Sequence, residues 1–269
     1  MKPKNMKKIL IANWKMNPVS RAEAIRLAKL SDEKSVVICP PFPFLIPVKG
    51  QLRKAELGAQ DIFWGGLPTG GGAYTGEVSG AMLKKIGASF VIIGHSERRR
   101  VLGETDETIN KKIKAALAAS LRVVLCIGEP AEVRKKGEAA AKAFVKSQLT
   151  TDLKNIFNLK PKTFNPIIAY EPVWAISTSR DPKLKETPEM IVAMVQFIKG
   201  LLDSRFSAQG GSASGGKIPD PRIIYGGSVT AENIGRIIHH KEIEGALVGG
   251  ASLKSEEFKK IIKVVKKFS

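Results

Sequence analysis

The chain has 269 residues, 43% of them hydrophobic, and its 44 Lys and Arg against 25 Asp and Glu give a formal charge of +19. That apolar content supports a sizeable core and excludes wholesale disorder, while the length suits one barrel or two small domains. The positive balance fits an anionic partner, a phosphorylated metabolite or a nucleic acid, but scattered lysines carry it and no basic block is interleaved with aromatics as single-strand binding requires.

Met1 to Lys8 carries four lysines with no signal-peptide h-region behind them, so residues 1–7 read as a basic tail. No run of the roughly 18 apolar residues that span a bilayer occurs, and a cytoplasmic protein without membrane contact is expected. The first apolar run is K-I-L-I-A-N from Lys8, followed by an amphipathic stretch from Arg21 to Leu30. Then come V-V-I-C from Val36, L-G-A-Q-D-I from Leu57 and F-V-I-I-G from Phe90. A helix opened by a T-D-E turn is expected over Glu104 to Ser120, and R-V-V-L-C-I-G follows from Arg122. The remaining runs are P-I-I-A-Y-E from Pro166, R-I-I-Y-G from Arg222 and G-A-L-V-G from Gly245. A last helix, Ser255 to Phe268, sets Phe258, Ile261, Ile262, Val265 and Phe268 on one face. The runs are continuously apolar rather than alternating, as parallel strands buried on both faces require. Repeated strand-then-helix units in a chain of this length predict an α/β fold, a closed (β/α)8 barrel in a single domain over residues 1–269.

Cys39 and Cys126 each end or nearly end an apolar run and read as reduced core residues, which fits the same compartment. With three His in all and two separated Cys, no metal cluster is expected; His239 and His240 read as exposed positions on the seventh helix. The Gly-rich stretch Ser207 to Lys217 falls in a helix-to-strand connection, on the face of a barrel remote from chemistry, whereas Gly65 to Gly72 follows the third strand on the catalytic face.

Barrel enzymes draw their catalytic groups from the C-terminal ends of strands. Those ends supply Asn13 and Lys15 in A-N-W-K-M-N, His95 in G-H-S-E-R-R and Glu171 in A-Y-E-P-V-W. They also supply Ser228 in Y-G-G-S-V and Gly249 and Gly250 in L-V-G-G-A-S. Each residue alone has an ordinary reading: a solvent-facing Lys, a structural His, a turn at Glu-Pro. Together they put an acid–base pair, a cation and two glycine turns at one mouth, and glycine turns leading into helices offer backbone N–H groups to a phosphate. No G-x-x-x-x-G-K-[ST] is present, so a nucleotide P-loop is not supported.

These segments, in this order, resemble the signature set of the triosephosphate isomerase family, the type case of the TIM barrel, and the likeness runs from Lys8 to the C-terminal helix. The roles that follow are those known for the family, carried over residue by residue. The resemblance implies interconversion of dihydroxyacetone phosphate and D-glyceraldehyde 3-phosphate through an enediol(ate), with neither cofactor nor metal. Glu171 would be the base, with apolar Ile176 and Leu247 closing over it, and His95 the neutral electrophile. Lys15 would supply positive charge, Asn13 would orient the site, and Glu97 would hold Lys15. Backbone amides at Ser177, Ser228, Gly249 and Gly250 would grip the phosphate of a small phosphorylated triose. Cys126 would match a packing position. Thr75, within A-Y-T-G-E-V, would support the partner subunit's Asn13 and Lys15 in a homodimer.

The chain departs from the family at the lid, where I-S-T-S-R-D-P-K-L-K-E-T-P-E puts Ser177 and Ser179 in place of two glycines and adds residues before Thr187. Serines at these positions and Pro182 behind them narrow the backbone freedom of the lid. Two other readings fit the sequence less well. A catalytically inactive basic barrel binding nucleic acid would have no need to keep Glu171, His95 and Lys15 together. Another phosphate-binding barrel enzyme is disfavoured by the motifs of the first and sixth strands.

Overall fold

All the apolar runs become parallel strands in the computed structural model, which describes residues 8–66, 70–156, 166–176, 181–208 and 221–268. They are β1 (Ile9–Asn13), β2 (Val36–Cys39), β3 (Glu56–Ala59), β4 (Phe90–Ile93), β5 (Arg122–Ile127), β6 (Ile167–Tyr170), β7 (Arg222–Tyr225) and β8 (Gly245–Val248). Each pairs with its neighbour in the chain, and β8 returns to β1 with Ile9 opposite Gly245, so the sheet closes into an eight-stranded barrel with no free edge. The basic tail and the stretch 209–220 lie outside the described residues, as do Ser177, Ser179 and Arg180.

The strand period of two explains the continuous apolar runs. Ile9, Ile11, Val37, Cys39, Phe90, Ile92, Val124, Cys126, Ile167, Ala169, Ile224 and Leu247 fill the barrel interior as one cluster. Their alternates, among them Leu10, Ala12, Ile38, Val91 and Leu125, face the helices in a second cluster. Both sets are buried, so neither face of a strand needs a polar residue. Cys39 and Cys126 are free thiols inside the barrel.

Among the described residues the helices are α1 (Arg21–Ser31), α2 (Leu45–Lys49), α3 (Gly80–Lys85), α4 (Ser96–Leu102), α5 (Asp106–Ala118), α6 (Ala131–Arg134), α7 (Glu138–Asp152), α8 (Pro188–Ala208), α9 (Ile234–Ile238) and α10 (Ser255–Lys266). Hydroxyl caps set several starts: Ser20 accepts from the Glu23 N–H, Ser79 from Met82 and Thr105 from Thr108. The Thr105 cap moves the start of α5 from the expected Glu104 to Asp106. Helix α10 buries Phe258, Ile261, Ile262 and Val265, but it ends at Lys266, so Phe268 falls in the closing turn and is 40% exposed. Helix α9 ends at Ile238, so His239 and His240 follow the helix rather than lie on it; His239 is exposed and His240 half-buried. No described helix is long and apolar enough to cross a membrane.

Long-range polar clasps tie the layers together. The Lys8 ammonium donates to the carbonyls of His240 and Ile243, fastening β1 to the turn before β8. Asp61 receives Lys112 at 2.6 Å and Arg98 at 2.8 Å, and both cations also reach Glu104, which sets α4 against α5. Asp32, at the end of α1, accepts the backbone N–H groups of Arg53, Lys54 and Ala55 at 2.9, 2.8 and 2.7 Å.

Partial burial tends to raise the Asp32 carboxyl, but the three backbone donors and the Lys54 charge together hold it below the ordinary aspartate value. A carboxylate depressed in the folded state stabilises it above the unfolded-state value and loses that contribution as pH falls through the folded value. Asp32→Asn should therefore lower stability at neutral pH by about 1–3 kcal/mol. The difference from the unmodified chain should shrink below pH ~4. Urea unfolding of both proteins across this range checks it; a pH-independent difference would contradict the ionic origin.

Candidate active site

Continuing each strand by its inward parity leads to the mouth of the barrel. In β1 the inward positions 9 and 11 lead to Asn13, and in β6 positions 167 and 169 lead to Glu171. Both are buried, Glu171 at 2% exposure. Room for Glu171 comes from its neighbours: a Cβ on Gly226 would lie 2.7 Å from Glu171 Cγ, and one on Gly128 would meet the Glu171 carbonyl.

The strand β4 hands over to α4 through Gly94, with φ of +75°, and His95, which caps the helix. The Glu97 N–H donates to His95 Nδ1 at 3.2 Å. A ring nitrogen that accepts a backbone N–H carries no proton itself, so the imidazole is neutral and presents Nε2–H to the cavity. That Nε2 lies 3.4 Å from Glu171 Oε1. The other oxygen, Oε2, accepts the buried Ser96 N–H at 3.1 Å, in the first turn of α4. Among the described residues, Oε1 has no hydrogen-bond partner.

Lys15 sits in a left-handed conformation, φ +53°, that a non-glycine residue adopts only when its surroundings impose it. Asn13 Oδ1 accepts the Lys15 N–H at 3.0 Å, and Gln60 Nε2 donates to the Lys15 carbonyl at 2.7 Å and to the Cys39 carbonyl at 2.8 Å. The Lys15 ammonium is 2.7 Å from Glu97 Oε1. Burial tends to raise Glu97, but the Lys15 hydrogen bond and the charges of Lys15 and Arg100 hold its carboxyl below the usual range, so it stays ionised. The ion pair with Glu97 fixes the direction of the Lys15 ammonium. The Cys126 thiol is pushed well up, first by burial and then by the charge of Glu171, so it remains a neutral neighbour of the base.

Asn13, Lys15, His95, Glu171, Ile176, Ser228, Leu247, Gly249 and Gly250 line one cavity of about 460 Å³. Gly249 leads into a short 3-10 turn, Gly250–Leu253. Asn233 Nδ2 donates to the Ser228 carbonyl at 2.7 Å and its Oδ1 accepts the Thr230 N–H at 2.8 Å, which steadies the Ser228 loop. Glu97 lies against Lys15 in the adjoining hollow, and Thr75 stands exposed on its loop. Among the described residues no group of three or more His, Cys, Asp or Glu is placed to hold a metal.

A family model described as triosephosphate isomerase matches residues 8–265. The chain belongs to the triosephosphate isomerase family. It is 45% identical to triosephosphate isomerase of Carboxydothermus hydrogenoformans, over 96% of this chain and 99% of that one. Against triosephosphate isomerase of Alkaliphilus oremlandii the identity is 39%, over 95% and 98%. The solved structure of triosephosphate isomerase from Bartonella henselae superposes with a TM-score of 0.79 at 32% identity, covering 97% of this chain and all of that one.

Several residues of this family member's site were not singled out from the sequence. Gln60 was one; the inward parity of β3 points to it. Another is the buried cluster around Trp174, just after β6. The fully buried Glu129 accepts Trp174 Nε1 at 2.9 Å, Arg134 Nε at 2.8 Å and the Tyr170 hydroxyl at 3.2 Å. The polar ends of two buried aromatics demand such a partner, and that demand is the signal the sequence offered. Further along the chain, Asp181 pairs with Lys135 at 2.6 Å and its N–H reaches the Trp174 carbonyl at 2.9 Å. Glu186 accepts the Tyr225 hydroxyl at 2.5 Å. The chain is thus tied down on both sides of Pro182.

Proposed function

We propose that this chain interconverts dihydroxyacetone phosphate and D-glyceraldehyde 3-phosphate, with Glu171 as the base and His95 as the electrophile. The observation that carries the assignment is the buried Glu171 Oε1, without a hydrogen-bond partner among the described residues, facing Nε2 of a neutral His95 at 3.4 Å. Glu171 leaves the Ser96 N–H and takes a proton from C1 of the ketone, and the bonding pair becomes the C1–C2 double bond of an enediolate. The charge that grows on the C2 oxygen is met by His95 Nε2–H and by the Lys15 ammonium, fixed in place before the reaction starts. Proton transfer through His95 between the two oxygens and return of the Glu171 proton to C2 give the aldehyde.

The phosphate sits on the backbone N–H groups of Ser228, Gly249 and Gly250, with Ser177 completing the grip from the lid. Asn13 orients the Lys15 turn, and Leu247 and Ile176 form the apolar wall that excludes water from the base. The molecule works as one barrel domain over residues 1–269 and as a homodimer in the cytoplasm. Buried free thiols at Cys39 and Cys126 suit a reducing compartment. A hollow of about 450 Å³ beside Lys15 and His95 is rimmed by exposed Met16, Val101 and Leu102, apolar surface of the kind a second subunit covers. The exposed Thr75 loop is the segment to fill the hollow of the partner subunit.

Glu171→Gln keeps the shape and removes the proton acceptor, so kcat in a coupled assay with glyceraldehyde 3-phosphate should fall by at least ~10²-fold. Affinity for 2-phosphoglycolate should stay within several-fold. A variant with more than a tenth of the original turnover would show that another group is the base. Sedimentation at micromolar concentration should give a dimer, and Thr75→Arg should shift it toward a less active monomer. A fully active monomer of the unmodified chain would refute the interface.

A further inference from the structure

The turn carrying His95 and Ser96 is held by a side chain that this mechanism does not use. Arg99 lies one helical turn on, in α4. Its Nε donates to the Gly94 carbonyl at 2.7 Å and its Nη2 to the Cys126 carbonyl at 3.1 Å. The same guanidinium reaches the carboxylates of Asp106, at the start of α5, and of the fully buried Asp152, at the end of α7, the latter at 2.7 Å. Gly94 is built to admit it. Its φ is +75°, and a Cβ there would lie 2.9 Å from Arg99 Nη2 and 3.1 Å from the Cys126 carbonyl. The guanidinium therefore occupies space that any side chain at 94 would need.

Both ends of the proposed catalytic pair pass through this clasp. Gly94 precedes His95, and Ser96 N–H holds Glu171 Oε2. Cys126 precedes Ile127, whose carbonyl accepts the Glu171 N–H at 2.7 Å. We propose that Arg99 is a positioning residue for the isomerisation: its planar fork joins the ends of β4 and β5 and so sets the 94–97 turn, the Nε2-protonated form of His95 and the separation of His95 from Glu171. This rests on the reading of those two residues as electrophile and base.

The chemistry requires arginine. Two carbonyls and two carboxylates from different elements converge on one side chain, and only a planar group with five N–H donors serves them at once. A lysine keeps the charge and answers the carboxylates, but its single nitrogen cannot reach both carbonyls. Arg99→Lys thus separates charge from orientation.

The test combines kinetics of Arg99→Lys with nitrogen-15 NMR of the imidazoles, tractable because the chain has three histidines. Expected are a kcat at least about tenfold lower, KM within about threefold, and a His95 Nδ1 signal that moves from the acceptor position toward the averaged position of a free imidazole. Original kcat and an unaltered nitrogen pattern would overturn the proposal. Should Arg99→Lys not fold, Asp152→Asn loosens the fork from one side and leaves both carbonyl bonds in place. It should give the same changes at smaller size, with kcat lowered about threefold or more. A lower melting temperature with kcat and nitrogen signals untouched would make the cluster purely structural and sink the proposal. Failure of the underlying reading looks different: the unmodified chain would not isomerise, while its His95 signals could still be read.

Discussion

A closed parallel barrel turns every second side chain inward, and that constraint decides where chemistry can stand in this protein. Below the mouth, the inward positions form one apolar cluster that includes two thiols. One step further along β1 and β6 the lining becomes Asn13 and Glu171, while β4, β5, β7 and β8 offer Gly94, Gly128, Gly226 and Gly249. The floor of the cavity is thus a layer emptied by glycine, with a carboxylate left standing in it. Hydrocarbon below and helices around make it rigid, and rigidity is what a base held against an electrophile needs.

The second determinant is the turn from β4 into α4. A helix start presents unsatisfied N–H groups, and this one directs two of them at cavity side chains: Ser96 N–H at Glu171 and Glu97 N–H at His95 Nδ1. Glu97, in the same turn, aims Lys15. One short segment therefore sets the protonation pattern of His95, the resting place of Glu171 and the direction of the cation. The strain at Lys15, held by Asn13 and Gln60, belongs to the same arrangement.

The strands were legible because burial on both faces leaves an unbroken apolar signature, and the barrel followed from their alternation with helices. Asn13, Lys15, His95 and Glu171 were legible because strand ends are where a barrel places chemistry. Ser228, Gly249 and Gly250 were reached the same way, and Glu97 came from family likeness. What escaped was long-range polar pairing. Gln60 reaches Lys15 across the barrel mouth, Glu129 collects Tyr170, Arg134 and Trp174, and Arg99 joins four elements; neither periodicity nor local motif encodes such contacts. The ends of α5, α9 and α10 shifted by a few residues because caps and closing turns, rather than the apolar stripe, set them.

The central claim is that a carboxylate removes a carbon-bound proton while a neutral imidazole meets the charge on oxygen. Running the isomerisation of dihydroxyacetone phosphate in deuterium oxide and reading the product by proton NMR tests it directly. The account predicts deuterium at C2 of part of the glyceraldehyde 3-phosphate, because a proton held on a carboxylate is exchangeable even in a shielded site, whereas a hydride passed between carbons is not. Product with no detectable deuterium at C2 would contradict the assignment of Glu171.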